Sequence, residues 1–304
     1  MLMDCSTNEI KKESPVIKHI VCSGGGIAGL QYFGILQESC KQGLWCIEDI
    51  QTYYATSAGT LLGIFLLLRY DWKEVEVYLV KRPWYKLFPF GIKSIIGSIS
   101  QKGMFSQDSI KKLVMPFLLA KDLSEDITMK EFYELTKIEF HCFTTNVHTY
   151  QCVDISYKTH PDWKLIDVVY SSCAMPIVFE PLLIDNQYYA DGCLISNFPL
   201  AQCINNGALP EEILGISCTG EKTNKDGLEN DTLLDYLGLL ISKMAEKSLI
   251  KSNDEIAYYF EVAFSHSYPY LLYEAVKQEE EKQKFIQKGE NIVSNYMSSP
   301  NTNE

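Results

Sequence analysis

Three short stretches of this sequence carry residue types that catalysis can use. Ala55-Thr56-Ser57-Ala58-Gly59 sets a serine among small residues at the end of a β-rich run. That is the pattern of a nucleophile elbow, G-x-S-x-G with alanine in the first small position. Ala55, Ala58 and Gly59 suit it because the turn from strand to helix is tight and lifts the serine hydroxyl into the open. A serine among small residues is also an ordinary helix N-cap, so alone it decides nothing. Gly24-Gly25-Gly26-Ile27-Ala28-Gly29 fits G-x-G-x-x-G, the spacing of a dinucleotide turn. That reading needs an acid at the end of the next strand, whereas Glu48 and Asp49 precede it and its far end carries Ser57. Glycines there also let backbone N–H groups approach an oxyanion closely. The third stretch, Tyr188-Tyr189-Ala190-Asp191-Gly192, ends a strand on an aspartate, a pair that often makes only a turn.

The elements that must position these groups read as strand, tight turn, helix, twice over. Val16 to Cys22 is a β-rich run that breaks at the glycines, and Ile27 to Glu38 follows with helical spacing. Ile50 to Thr56 is a second strand, and Gly59 to Tyr70 is apolar on nearly every face, as in a helix buried against a sheet. Glu139–Thr145, Tyr150–Ile155, Gln187–Ala190 and Ile213–Cys218 read as strands, and Phe132–Thr136 and Leu165–Ser172 as helices. Leu233, Leu237, Leu240, Ile241 and Met244 recur on one helical face expected to pack on the core, and Tyr273 to Tyr296 gives a last long helix. This alternation predicts an α/β fold: a mixed, mostly parallel β-sheet with helices on both faces.

Taken together and in this order, the glycine turn, the serine elbow and the Asp-Gly turn resemble the patatin-like phospholipase family. The likeness extends to Ser172 through Pro181, to Asn197-Phe198-Pro199 and to Thr144-Thr145-Asn146, and covers roughly Val16 to Cys218. The resemblance implies a Ser–Asp dyad hydrolysing acyl esters of lipids through an acyl-serine intermediate. Ser57 would be the nucleophile, Asp191 its base, and the N–H groups of Gly24, Gly25 and Gly26 the oxyanion hole. An aspartate is a weak base at neutral pH, so this role requires burial to raise its pKa. Where the family usually carries Lys or Arg before the last glycine, this chain has Ala28, which removes a cation that could hold a phosphate. The competing base, His266 in a Ser–Asp–His order, lies beyond the likeness, and His19, His141, His148 and His160 read as strand or surface residues.

Composition narrows the partners. The 304 residues hold 27 Lys and Arg against 39 Asp and Glu, a net charge of −12 that disfavours nucleic acid. The ten cysteines show no zinc-ligand spacing, and no EF-hand or H-E-x-x-H motif occurs, so neither a metal nor another cofactor is expected. Free thiols, no apolar leader and neither a myristoyl nor a prenyl signal point to a cytoplasmic location. The longest apolar run, Leu61 to Leu68, is too short to span a bilayer, so membrane contact is expected to be peripheral. Between Lys81 and Phe105 aromatic residues alternate with cations, and Trp84, Phe88 and Phe90 read as a lip that meets lipid beside Ser57. The expected division is a polar tail over 1–15, a catalytic domain over 16–270, and a C-terminal helix and tail over 271–304.

Overall fold

A computed structural model describes residues 16–89, 91–220, 233–248, 255–264 and 277–299. The strands are β1 (His19–Cys22), β2 (Thr52–Thr56), β3 (Gly103–Phe105), β4 (Glu139–Asn146), β5 (Gln151–Ile155), β6 (Ile177–Phe179), β7 (Leu182–Ile184), β8 (Gln187–Asp191), β9 (Ile213–Gly220) and β10 (Tyr258–Phe264). The helices are α1 (Gly29–Lys41), α2 (Ala58–Leu67), α3 (Trp72–Lys81), α4 (Trp84–Leu87), α5 (Ile92–Gln101), α6 (Gln107–Leu119), α7 (Met129–Thr136), α8 (Leu165–Cys173), α9 (Leu200–Asn205), α10 (Leu233–Lys247) and α11 (Glu279–Ser298).

The main sheet runs β10-β9-β1-β2-β4-β8-β7, with β5 also paired to β4. From β10 to β4 every neighbour is parallel, while β5, β8 and β7 join antiparallel. Successive side chains of a strand point to opposite faces, and here both faces are buried. Ile20, Cys22, Tyr53, Ala55, Phe140, Cys142, Leu214 and Ile216 enter one apolar core with residues of α1, α2, α6 and α8. Their alternates Val21, Tyr54, Phe143 and Ile213 enter a second core with Leu200 and Cys203 of α9. Two covered faces explain why these strands are rich in apolar residues rather than alternating with polar ones. The α/β fold expected from the sequence is therefore the one observed.

One register detail determines where the chemistry sits. Phe143 of β4 pairs with Thr56 on one side and Asp154 on the other, while Thr144 pairs with Asp191 and with Val153. With β5 on one side of β4 throughout, β2 and β8 share the other side. They meet end to end, and the last residue of β2 and the last of β8 flank consecutive residues of β4.

The C-terminal helix is packed onto the rest through backbone contact. A Cβ on Gly34 of α1 would lie 2.1 Å from the Ile286 carbonyl oxygen of α11, and one on Gly289 would lie 2.0 Å from that of Gln31. Only glycine at both positions lets the two helices approach this closely. Ile286 and Val293 are fully buried beside this crossing. Lys282, almost fully buried, donates from Nζ to the Arg82 carbonyl at 2.9 Å, capping the end of α3. Leu240 of α10, expected on a packed face, is instead exposed together with Tyr236 and Leu239; Ala245 makes the buried contact.

Candidate active site

Ser57 stands between β2 and α2 with φ 52° and ψ −118°, a conformation that costs a non-glycine residue about 1–3 kcal/mol. Its side chain makes no capping bond to α2, so the N-cap reading of this serine does not describe what its hydroxyl does. The turn is held from the side. Ser172 at the end of α8 accepts the Ser57 N–H on Oγ at 3.0 Å, exchanges a hydrogen bond with Thr60 Oγ1 at 3.0 Å and donates to the Phe143 carbonyl at 2.7 Å. Cys173 Sγ contacts the Ser57 carbonyl at 3.3 Å. Gly59 is required by packing, since a Cβ there would lie 2.7 Å from the Cys22 carbonyl oxygen. Ala55 is fully buried and Ala58 nearly so.

Asp191 is completely buried. Oδ1 accepts the Cys193 N–H at 2.8 Å, whereas Oδ2 has no hydrogen-bond partner among the described residues. Burial pushes the carboxyl up from 3.8 to about 6, against the opposing pull of the Cys193 N–H and the Ser57 hydroxyl. The backbone around it is pinned: its N–H donates to the Ala174 carbonyl at 2.9 Å, and Thr145 Oγ1 donates to its carbonyl at 3.0 Å. Gly192 is needed because a Cβ would lie 2.3 Å from the Phe143 carbonyl oxygen.

The glycine turn faces this pair from β1, and its three glycines differ. Gly24 N–H donates to the Asn197 carbonyl at 3.1 Å, so that donor is already engaged. The N–H groups of Gly25 and Gly26 have no partner of this kind among the described residues. Gly26 has φ +54° with open space around it, while a Cβ on Gly25 would lie 2.4 Å from the Tyr32 hydroxyl. Tyr32 in turn donates to the Gly24 carbonyl at 3.1 Å, which fixes the turn against α1.

Next to Ser57 opens an apolar cavity of about 290 Å³. The Gly26 turn and one face of α2 line it, with Trp84, Phe88, Phe105 and Phe179 on the far side. Trp84 and Phe88, read from the sequence as a lipid-facing lip, are half-buried cavity wall. Trp84 Nε1 donates to the Leu79 carbonyl at 2.8 Å, and the Phe88 ring packs on Phe105 and Phe179 at 5.5 and 5.9 Å. Phe90 lies outside the described residues.

The profile of the patatin-like phospholipases matches residues 20–204, well over half of the chain. The chain belongs to the patatin-like phospholipase family. One relative, the probable lipid hydrolase 463L of Invertebrate iridescent virus 6, is 27% identical over 185 residues. That match spans 60% of this chain and 62% of the relative, less than two thirds of its length. Uncharacterized protein R571 of Acanthamoeba polyphaga mimivirus is 23% identical over 258 residues, 82% of this chain and 84% of that one. Among solved structures, VipD from Legionella pneumophila superposes with a TM-score of 0.49 at 16% identity, covering 91% of this chain and 67% of VipD. ExoU of Pseudomonas aeruginosa, solved in complex with SpcU, gives 0.46 at 13% identity, covering 94% of this chain and 53% of ExoU.

One residue that holds this patatin-like site, Ser248 at the α10 C-terminus, carried no signal in the sequence: it donates to the Cys193 carbonyl at 2.6 Å and accepts the Asn197 N–H at 3.3 Å. It thereby grips the loop that follows Asp191. The Ser172–Pro181 segment, noticed as a family likeness, supports both partners. Ser172 and Cys173 hold the elbow, Ala174 holds Asp191, and Met175, Val178 and Phe179 line the cavity. Ala28 is fully buried, and no charged side chain lines the cavity. His19, His141, His148 and His160 do not line it either, and His266 lies outside the described residues. His141 is a buried strand residue stacked on Tyr54, with Nδ1 2.8 Å from Asp154 and Nε2 3.2 Å from Glu139. Those two carboxylates outweigh burial and raise its pKa. Among the described residues no helix is long and apolar enough to cross a membrane.

Proposed function

We propose that this chain is a serine carboxylic-ester hydrolase of lipid acyl esters, of the phospholipase A or lysophospholipase type, working through Ser57 and Asp191. The observation that carries this reading is the strained Ser57, its hydroxyl spared from capping, beside a buried carboxylate with one unpartnered oxygen at the mouth of an apolar cavity. Asp191, with a pKa near 6, is ionised at neutral pH yet basic enough to accept a proton. It takes the Ser57 proton as Oγ attacks the ester carbonyl. The oxyanion is then stabilised by the N–H groups of Gly25 and Gly26, with the α2 N-terminus adding its positive end. Gly24 supports the turn through Asn197 rather than donating to substrate. Asp191 next protonates the leaving alcohol, producing acyl-Ser57. Water gives a proton to Asp191 and attacks the acyl carbon, and collapse returns the proton to Ser57 with release of the fatty acid. The cavity takes the acyl chain, and the lipid reaches it from a membrane or other aggregate.

A fluorophosphonate probe tests this directly, since only an activated serine is labelled. Wild type should label and hydrolyse short-chain esters, and Ser57→Ala should do neither while melting at a similar temperature. Undiminished turnover in pure Ser57→Ala would overturn the nucleophile assignment. An intact wild-type protein that binds lipid without labelling would instead be a non-catalytic binding module.

A further inference from the structure

The cavity beside Ser57 also limits how much substrate it can hold, an inference that rests on reading Ser57 as its reactive end. Ala58, Leu61, Leu62 and Phe65 recur at i, i+3, i+4 and i+7, so one face of α2 forms a continuous wall. Phe65 lies eight positions beyond Ser57 along α2, an axial rise of about 12 Å at 1.5 Å per residue. Phe65 itself is backed by further aromatic rings. Its ring packs on Phe117 at 4.3 Å, and Tyr70 and Tyr78 wedge Phe117 at 5.1 and 4.4 Å. Both tyrosine hydroxyls are tied to α6, Tyr78 to the Leu113 carbonyl at 2.7 Å and Tyr70 to that of Phe117, which makes the floor rigid.

Two measures bracket the capacity. With C–C bonds of about 1.5 Å a zigzag hydrocarbon advances ~1.3 Å per carbon, so ~9 carbons span that rise. A cavity of about 150 Å³ holds one benzene, six carbons, so a volume near 290 Å³ takes on the order of 12. Two acyl chains do not fit, and the absence of charged lining leaves a charged head group without a partner inside. We infer that the pocket is a ruler for a single acyl chain of about nine to twelve carbons with Phe65 as its stop. The preferred substrates are then medium-chain esters whose alcohol portion stays outside.

Binding and turnover test this separately. Saturated fatty acids of eight to eighteen carbons are titrated into Ser57→Ala by calorimetry, and kcat/KM is measured for p-nitrophenyl esters of four to eighteen carbons with the wild type. Both series should climb, by up to about fourfold per buried methylene, and level off between about nine and twelve carbons. Phe65→Ala should move the break outward by about three carbons, and Leu62→Trp should move it inward. A wild-type series that climbs to eighteen carbons overturns the ruler, as does a break that neither variant moves. The wild-type series decides alone if a variant fails to fold. A break in fatty-acid binding without ester turnover supports the ruler and refutes the hydrolase, whereas turnover without a break does the reverse.

Discussion

Asp191→Asn should gain stability relative to wild type as pH rises from acid to neutral while destroying activity, because the charge that serves the proposed chemistry is costly to bury. The carboxyl titrates near 6 in the fold against 3.8 ordinarily. Well below pH 3.8 it is neutral whether folded or unfolded, and well above pH 6 it is charged in both. Between these limits the native state holds the proton that the unfolded chain has lost, so wild-type stability falls as pH rises. At 1.36 kcal/mol per pH unit the total loss is about 3 kcal/mol. Asparagine keeps the shape and the bond from Cys193 N–H, and it adds a pH-independent amide cost of about 1–3 kcal/mol if its NH₂ group finds no partner. The difference between two pH values removes that cost. Urea unfolding of both proteins at about pH 4 and pH 8 should therefore show the Asn variant gaining about 2.5 kcal/mol relative to wild type at the higher pH, since a little of the loss has already occurred by pH 4. The same ionisation predicts that wild-type kcat/KM rises about tenfold per pH unit below 6 and is flat above it, with Asp191→Asn lower by up to about 10⁴-fold. A stability difference equal at the two pH values would refute the buried charge, and an unaltered kcat/KM would refute the base.

Three further outcomes follow from the geometry. Ser57→Gly relieves the strained φ of 52° and should raise unfolding free energy by about 1 kcal/mol with loss of fluorophosphonate labelling; a drop in stability would mean that the elbow is unstrained. Gly34→Ala drives a methyl to within 2.1 Å of the Ile286 carbonyl oxygen, and neither helix backbone can yield locally, so a loss of about 1–3 kcal/mol is expected in urea unfolding. An unchanged midpoint would place the α1–α11 crossing elsewhere. Phe88→Ser removes cavity wall rather than a surface anchor, so hydrolysis of soluble and of aggregated esters should fall together, by tenfold or more. A loss confined to vesicle substrates would instead return this aromatic to a membrane-facing role.

Local sequence determined the pieces of this site, and the reason is physical. A tight strand-to-helix turn demands small residues around Ser57, a left-handed turn demands Gly26, and a strand ending against backbone demands Gly192, so each left a legible mark. Strand β1 and helix α2 were readable because burial on both sides requires near-continuous apolar runs. The three-residue strands β3, β6 and β7 show no period long enough to detect. In β10, Phe260 and Val262 are buried while Tyr259 and Glu261 are exposed, an alternation too short to set a strand apart in the sequence. Tertiary structure alone decided the rest. That Thr56 and Asp191 flank neighbouring residues of β4 is a matter of sheet register, set by packing of both faces over the whole strand order. Gly24 differs from Gly25 because Asn197, far along the chain, takes its N–H. Trp84 and Phe88 have the composition of an interfacial loop, yet Phe88 packs on Phe105 and Phe179 and Trp84 stacks on Phe88, because that contact removes apolar surface from water. Such outcomes depend on which distant groups arrive at one place, and no local spacing encodes that.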